Sequence, residues 1–160
     1  MKKKIFKTAI EVYASEKELS LQDQKLLKQA KKALKKTYSP YSNFRVGAAV
    51  LLENGKTISG SNQENASYPL CLCAERVAIA AADCNYPKVP IKCIAITAKS
   101  SSQVVDQPVA PCGACRQVIC ETEQKHHTTM RIILQGEKGK VYIIEKGTDL
   151  LPLTFDGGLI

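Results

Sequence analysis

Tryptophan is absent, and three phenylalanines and six tyrosines bring aromatic residues to only 6% of the 160-residue chain. No apolar run approaches the roughly 20 residues that a helix needs to cross a bilayer, which excludes a helical membrane span. The basic start Met1-Lys2-Lys3-Lys4 passes through Ile5-Phe6 into Lys7 without an apolar stretch, so no export signal is expected. Internal repeats, low-complexity tracts and convincing linkers are missing too, and the length suits one core better than two. The cysteines do not make an even set: there are seven, at Cys71, Cys73, Cys84, Cys93, Cys112, Cys115 and Cys120. An odd count without an export signal favours reduced thiols and metal ligation over a disulfide framework, and with it a cytoplasmic location.

What the chain has in excess is positive charge, +8 overall, but that charge is unevenly placed. Residues 1–36 hold 11 lysines against 4 acids, a local balance of +7. Only Phe6 and Tyr13 fall among these lysines, too few for a stacking platform, so a solvated helix face explains them better than a nucleic-acid site.

Patterning predicts an α/β layered fold with a mixed sheet of about five strands flanked by helices. Phe6, Thr8, Ile10 and Val12 alternate as in a short half-buried strand. Ser20-Leu21-Gln22-Asp23 resembles a capping box, and Leu26, Leu27, Ala30, Ala33 and Leu34 form one apolar stripe behind it. The run Val46 to Leu52 reads as a central strand, turned by Asn54-Gly55 into an antiparallel partner over 57–60. A polar loop follows, and then a helix opened by Cys73 that is apolar nearly all round and so buried on more than one side. Ile91 to Ala98 reads as a strand parallel to a neighbour, and Cys112 opens a helix to about Gln124 with Val118 and Ile119 inward. A hairpin over 130–134 and 141–144 precedes a turn and a tail carrying Phe155.

The chemistry concentrates in Cys73-Ala74-Glu75-Arg76 and Pro111-Cys112-Gly113-Ala114-Cys115. Three sulfurs and one acid that need not ligate are the inventory of a hydrolytic zinc site with an open fourth position. Cys112 and Cys115, three apart in a first helical turn, share a face, and Cys73 at a second helix start would join them. Partial positive charge at both helix starts favours thiolates, and Arg76 adds compensation for three of them on one Zn²⁺. Glu75, two residues after a ligand, stands where a proton shuttle is needed. Two other arrangements share these residues: a redox dithiol at Cys112 and Cys115, and a closed structural site that recruits Cys71. Cys84, Cys93 and Cys120 fall in apolar surroundings and read as small core residues.

The stretches 38–49 (YSPYSNFRVGAA), 60–69 (GSNQENASYP), 73–76 (CAER) and 111–117 (PCGACRQ) together resemble the homotetrameric zinc-dependent cytidine deaminases, from about Leu21 to Phe155. The resemblance implies their three-layer fold over 21–160, with 1–20 as an N-terminal extension. It implies hydrolytic deamination of cytidine and 2'-deoxycytidine in pyrimidine salvage, with zinc on Cys73, Cys112 and Cys115 and Glu75 moving protons. It also implies Phe44 packed on the pyrimidine, Asn62 and Glu64 on the ribose hydroxyls, Tyr68 and the Ala74 backbone at the site, and Arg76 and Gln117 around the thiolates. Phe155 would reach a neighbour's pocket, making the active sites shared within a homotetramer. Gln63 departs from the aliphatic residue usual there, and Cys71 adds a thiol near the metal. Rival expectations are deamination of a related cytosine nucleoside such as blasticidin S, and a non-catalytic protein with four-cysteine zinc. Neither a nucleic acid nor a membrane is an expected partner, since no basic and aromatic groove is evident after residue 37.

Overall fold

The computed structural model describes residues 1–157. The end of the tail, residues 158–160, lies outside the described residues. Side chains alternate between the faces of a strand, and this alternation sorts the chain into layers. In β2 (Phe44–Leu52), Ala48, Val50 and Leu52 enter one core while Ala49 and Leu51 enter another. β4 (Ile91–Ser100) divides the same way, Ile94 and Ile96 against Cys93 and Ala95. In β5 (Arg131–Gln135), Ile132 and Leu134 oppose Ile133. Strands buried on both faces need cover on both sides. Helix α1 (Leu21–Ala33) supplies one cover through Leu26, Leu27 and Ala30. Helices α2 (Ala74–Asn85) and α3 (Gly113–His126) supply the other through Ala78, Ile79, Ala82 and Ile119. The expected three-layer α/β fold is the one observed.

Among the described residues the sheet has six strands, not five. β1 (Glu11–Tyr13), β3 (Thr57–Ser61) and β6 (Val141–Ile144) complete the order β1-β6-β5-β4-β2-β3. β4 and β5 are parallel and every other pair is antiparallel. The crossover through α2 that leads into β4 does not bring it beside a parallel strand: on that side its neighbour is β2, which runs antiparallel, and its parallel neighbour is β5, reached afterwards through α3. The alternation from Phe6 to Val12 misplaces the first strand. Pairing begins only at Glu11, and Phe6, Ile10 and Val12 stay exposed while Tyr13 packs on the core. In this register β6 ends at Ile144, the residue that would face Ile10, so Phe6 and Thr8 have no strand opposite them.

Local chemistry sets the elements where expected. Ser20 Oγ accepts from the Asp23 N–H at 3.2 Å and donates to Asp23 Oδ2 at 2.7 Å, capping α1. The Asp23 carboxylate also takes a two-pronged bond from Arg131, at 2.7 and 2.8 Å, which ties the helix start to β5. Burial pushes the Asp23 carboxyl up, but the Arg131 and Ser20 hydrogen bonds outweigh it and hold the group below its usual value. Gly55, at φ 80°, makes the β2–β3 turn. Cys93 and Cys120 are buried as expected, but Cys84 is exposed, since α2 presents its last turn to solvent there.

One contact places the site. Gly60 of β3 lies against the first turns of α2, where a Cβ would fall 2.4 Å from Ala74 O and 2.5 Å from Ala78 N. Both neighbours are backbone, so neither can swing aside. Gly60→Ala is expected to cost about 1–3 kcal/mol in urea unfolding, the usual range for overpacking. It should also weaken metal uptake, because the displaced turn carries Cys73; an unchanged unfolding midpoint would show that α2 is not held by this contact.

Candidate active site

Cys73 and Cys112 are the N-caps of α2 and α3, each extended in backbone and neither using its side chain to cap. Their sulfurs are therefore free to meet. Cys73 Sγ lies 3.8 Å from Cys112 Sγ, which lies 3.5 Å from Cys115 Sγ one turn inside α3. The three ligand atoms all fall within 4.8 Å of one another. Tetrahedral zinc with bonds of about 2.3 Å needs sulfurs about 3.8 Å apart, so the donor set fits that ion. Two helix starts meet here, and the partial positive charge of each favours negative charge at the sulfurs.

The charges are arranged to match. A hydrogen bond from Cys115 pulls the Cys73 thiol down to about 5, against burial, with Arg76 helping. Cys115, correspondingly, is pushed well above the ordinary thiol value. Arg76 Nη2 donates to Cys71 O at 2.8 Å and stands 3.9 Å from Cys73 Sγ. Cys71 faces elsewhere: its sulfur accepts from the Asn65 N–H at 3.2 Å. It stands outside the three-thiol group, so the closed four-cysteine shell does not form. Glu75 is 4% exposed. Burial pushes its carboxyl up, Cys73 adds to that, and hydrogen bonds from its own backbone and from Cys115 oppose it.

A cleft of about 310 Å³ opens onto Cys73, Cys112 and Glu75, with Phe44, Asn62 and Glu64 among its walls and, among the described residues, no Lys, Arg or His in its lining. The profile of the cytidine and deoxycytidylate deaminase zinc-binding region matches residues 20–130 of this chain. The chain belongs to that family. It is 40% identical over 132 residues to a cytidine deaminase of Halalkalibacterium halodurans, covering 82% of this chain and 92% of the relative. A cytidine deaminase of Sporosarcina psychrophila is 44% identical over 98 residues, 61% of this chain and 68% of that one. Among solved structures, a cytidine deaminase from Burkholderia pseudomallei superposes with a TM-score of 0.70 at 41% identity, covering 82% of this chain and 97% of that one. One from Mycobacterium tuberculosis gives 0.66 at 30% identity, covering 86% and 99%.

As a member of this family the chain is a hydrolytic deaminase, and its remaining site candidates fall into two groups. Asn62 and Glu64 meet the cleft while holding its wall. Asn62 Oδ1 accepts from the Val46 N–H at 2.8 Å and Nδ2 donates to Phe44 O at 2.9 Å, so the side chain continues the β2–β3 ladder. Glu64 accepts from the backbone of Tyr41 at 2.9 Å and Ser42 at 3.3 Å, and from the Ser42 hydroxyl. The Ser42 hydroxyl is the main reason the Glu64 carboxyl sits below its ordinary value. Together the two residues fix where Phe44 begins its strand, a role a polar loop did not announce.

The other group lies off this cleft. Tyr68 is exposed, its ring edge-on to Tyr41 at 6.0 Å. Phe155 is exposed and absent from the walls of its own chain's cleft. Gln117 directs its amide to the Phe155 backbone. Arg116, not singled out by its motif, donates from Nε to Pro111 O at 2.9 Å and from Nη1 to Leu150 O at 3.0 Å. The three-thiol geometry makes a direct prediction. Cys71→Ser should retain about one metal ion per chain by atomic absorption, whereas Cys112→Ser should lose it; equal losses would place Cys71 in the metal shell.

Proposed function

We propose that this deaminase hydrolyses cytidine and 2'-deoxycytidine to uridine and 2'-deoxyuridine, releasing ammonia, with Zn²⁺ held by Cys73, Cys112 and Cys115. The observation that carries the reading is a buried carboxylate, Glu75, beside three converging thiols at the floor of a cleft. Zinc in that position would supply a Lewis acid that makes water a competent nucleophile at neutral pH. The protein's own part is proton movement. A carboxyl whose ordinary value is raised by burial suits both halves of the task, accepting a proton from water and returning it to the substrate. Glu75 would pass that proton to the pyrimidine ring nitrogen and serve again as the C4–N bond breaks and the amine leaves as ammonia. The new C4–O bond comes from the water.

The remaining residues recognise and balance. Phe44 offers a ring to the pyrimidine, the Ala74 backbone meets the base, and Asn62 and Glu64 offer hydrogen-bond groups to the ribose hydroxyls. Arg76 and two helix N-termini offset the charge of the thiolates. With no cation on its walls and Glu64 among them, the cleft favours a neutral nucleoside over a 5'-monophosphate. The catalytic unit is residues 21–160 behind an extension over 1–20, working in cytoplasmic pyrimidine salvage. A homotetramer with shared sites is supported by two exposed features: Phe155, and the outward side of α2, where Ala80 is exposed and Val77 and Ala81 are half-buried. Tyr68, also exposed, would complete the site at such a contact.

Loss of cytidine ultraviolet absorbance, abolished by a zinc chelator, tests the activity directly. Glu75→Gln should keep its zinc and fold while losing at least the ~10²–10⁴-fold that acid–base catalysis contributes. Near-normal turnover by that variant would defeat the mechanism. Cytidine 5'-monophosphate should react with a kcat/KM roughly 100-fold lower than cytidine, as expected for bringing like charges together; equal efficiency would show that the cleft does not select against phosphate.

A further inference from the structure

After β6 the chain turns back and is gripped at three points by one helix. The Gly147 N–H donates to Glu123 Oε1 at 2.7 Å. Leu150 O accepts from Arg116 Nη1 at 3.0 Å. Phe155 is held by Gln117, whose Nε2 donates to Phe155 O at 2.9 Å and whose Oε1 accepts from the Phe155 N–H at 3.1 Å. The tail therefore runs back along α3 toward the end that carries Cys112 and Cys115. Its last grip differs from the others in kind. An amide side chain holds one donor and one acceptor in a plane, and here both meet the same residue, as a paired strand would.

That grip fixes a backbone and leaves its ring outside. Between Pro152 and Gly157 no side chain is buried, so packing does not orient Phe155. Its ring is 67% exposed and lies outside the cleft of its own chain. Two hydrogen bonds with Gln117, one donated and one accepted, fix the backbone from which the ring projects. Both polar ends of the Gln117 amide are used in this way, although the residue sits only two positions after Cys115.

We propose that Gln117 is a positioning residue that presents the Phe155 ring to the cleft of a second copy of the chain, and so sets nucleoside affinity without touching the substrate or the metal. This rests on the reading above that Phe155 acts in a neighbour's cleft. Fixing the ring beforehand removes an ordering cost that substrate binding would otherwise carry. The turnover step, which depends on Glu75 and the thiols, is untouched.

Gln117→Met preserves length and removes both hydrogen bonds. Amide hydrogen exchange at Phe155 should speed up by about tenfold or more, as for local release of a segment. KM for cytidine should rise about tenfold, the scale of one lost ordering contribution, with kcat within about twofold and zinc content unchanged. Gln117→Glu, which keeps the acceptor, should recover part of the affinity. In a Phe155→Ala background, Gln117→Met should raise KM no further. Unchanged exchange at Phe155 in the Gln117→Met chain would overturn the tether. Zinc loss, or an equal further rise in KM in the Phe155→Ala background, would overturn it by assigning Gln117 to the thiolates. If Phe155→Ala itself leaves KM unchanged, the shared-cleft reading fails, and the proposal falls with it even where the tail is seen to be released.

Discussion

Three sulfurs held 3.5 and 3.8 Å apart cannot all carry negative charge unless positive charge is placed beside them. The chain meets that constraint mainly with backbone. Two helices begin at Cys73 and Cys112, so the partial positive charge of both helix starts lies beside the sulfurs before any cation is counted. Arg76 adds a guanidinium that bonds the Cys71 carbonyl and faces Cys73. Its own Nε is buried and has no hydrogen-bond partner among the described residues. The start of α2 is in turn set against the sheet by Gly60, which lets β3 approach its backbone.

The same economy shapes the cleft. Asn62 and Glu64 are wall residues whose polar atoms also bond the backbone of residues 41–46. A wall built this way is stiff, because moving a recognition group means breaking the hydrogen bonds that begin strand β2. Stiffness of this sort is what a site needs when it must hold reacting groups in one geometry. Cys71 belongs to the same construction. Its sulfur and carbonyl serve the loop at Asn65 and the Arg76 guanidinium, so it stands near the metal site yet outside it.

Helix α3 links this centre to the end of the chain. Cys112 and Cys115 stand at its start with Cys73, while Arg116, Gln117 and Glu123 hold the returning tail. Glu123 is buried, accepting from both Met130 and Gly147 at 2.7 Å, so it ties the start of β5 and the start of the tail to one helix. A displacement of α3 would therefore reach the thiols and the tail together.

Features encoded within a few residues were legible in the sequence. The alternation in Val46 to Leu52, the Ser20–Asp23 cap, the Asn54-Gly55 turn and the Cys112–Cys115 spacing each depend on neighbours close in the chain, and each appears where its pattern placed it. Pattern alone put the first strand too early, since β6 ends at Ile144 and leaves Phe6 and Thr8 without a strand opposite them. It could not say whether Cys71 joins Cys73, because one extended residue between two cysteines leaves both orientations open until Asn65 captures one. Nor could it show that Asn62 bonds Phe44 and Val46, or that Gln117 holds Phe155 38 residues away. The sequence by itself determined the layers and the inventory of ligands, because these follow from periodicity and spacing. Which sulfurs meet, which amide holds which backbone, and which aromatic ring is left facing outward were decided by the tertiary structure, because hydrogen-bond partners distant in the chain become neighbours only once the sheet has fixed the helices in place.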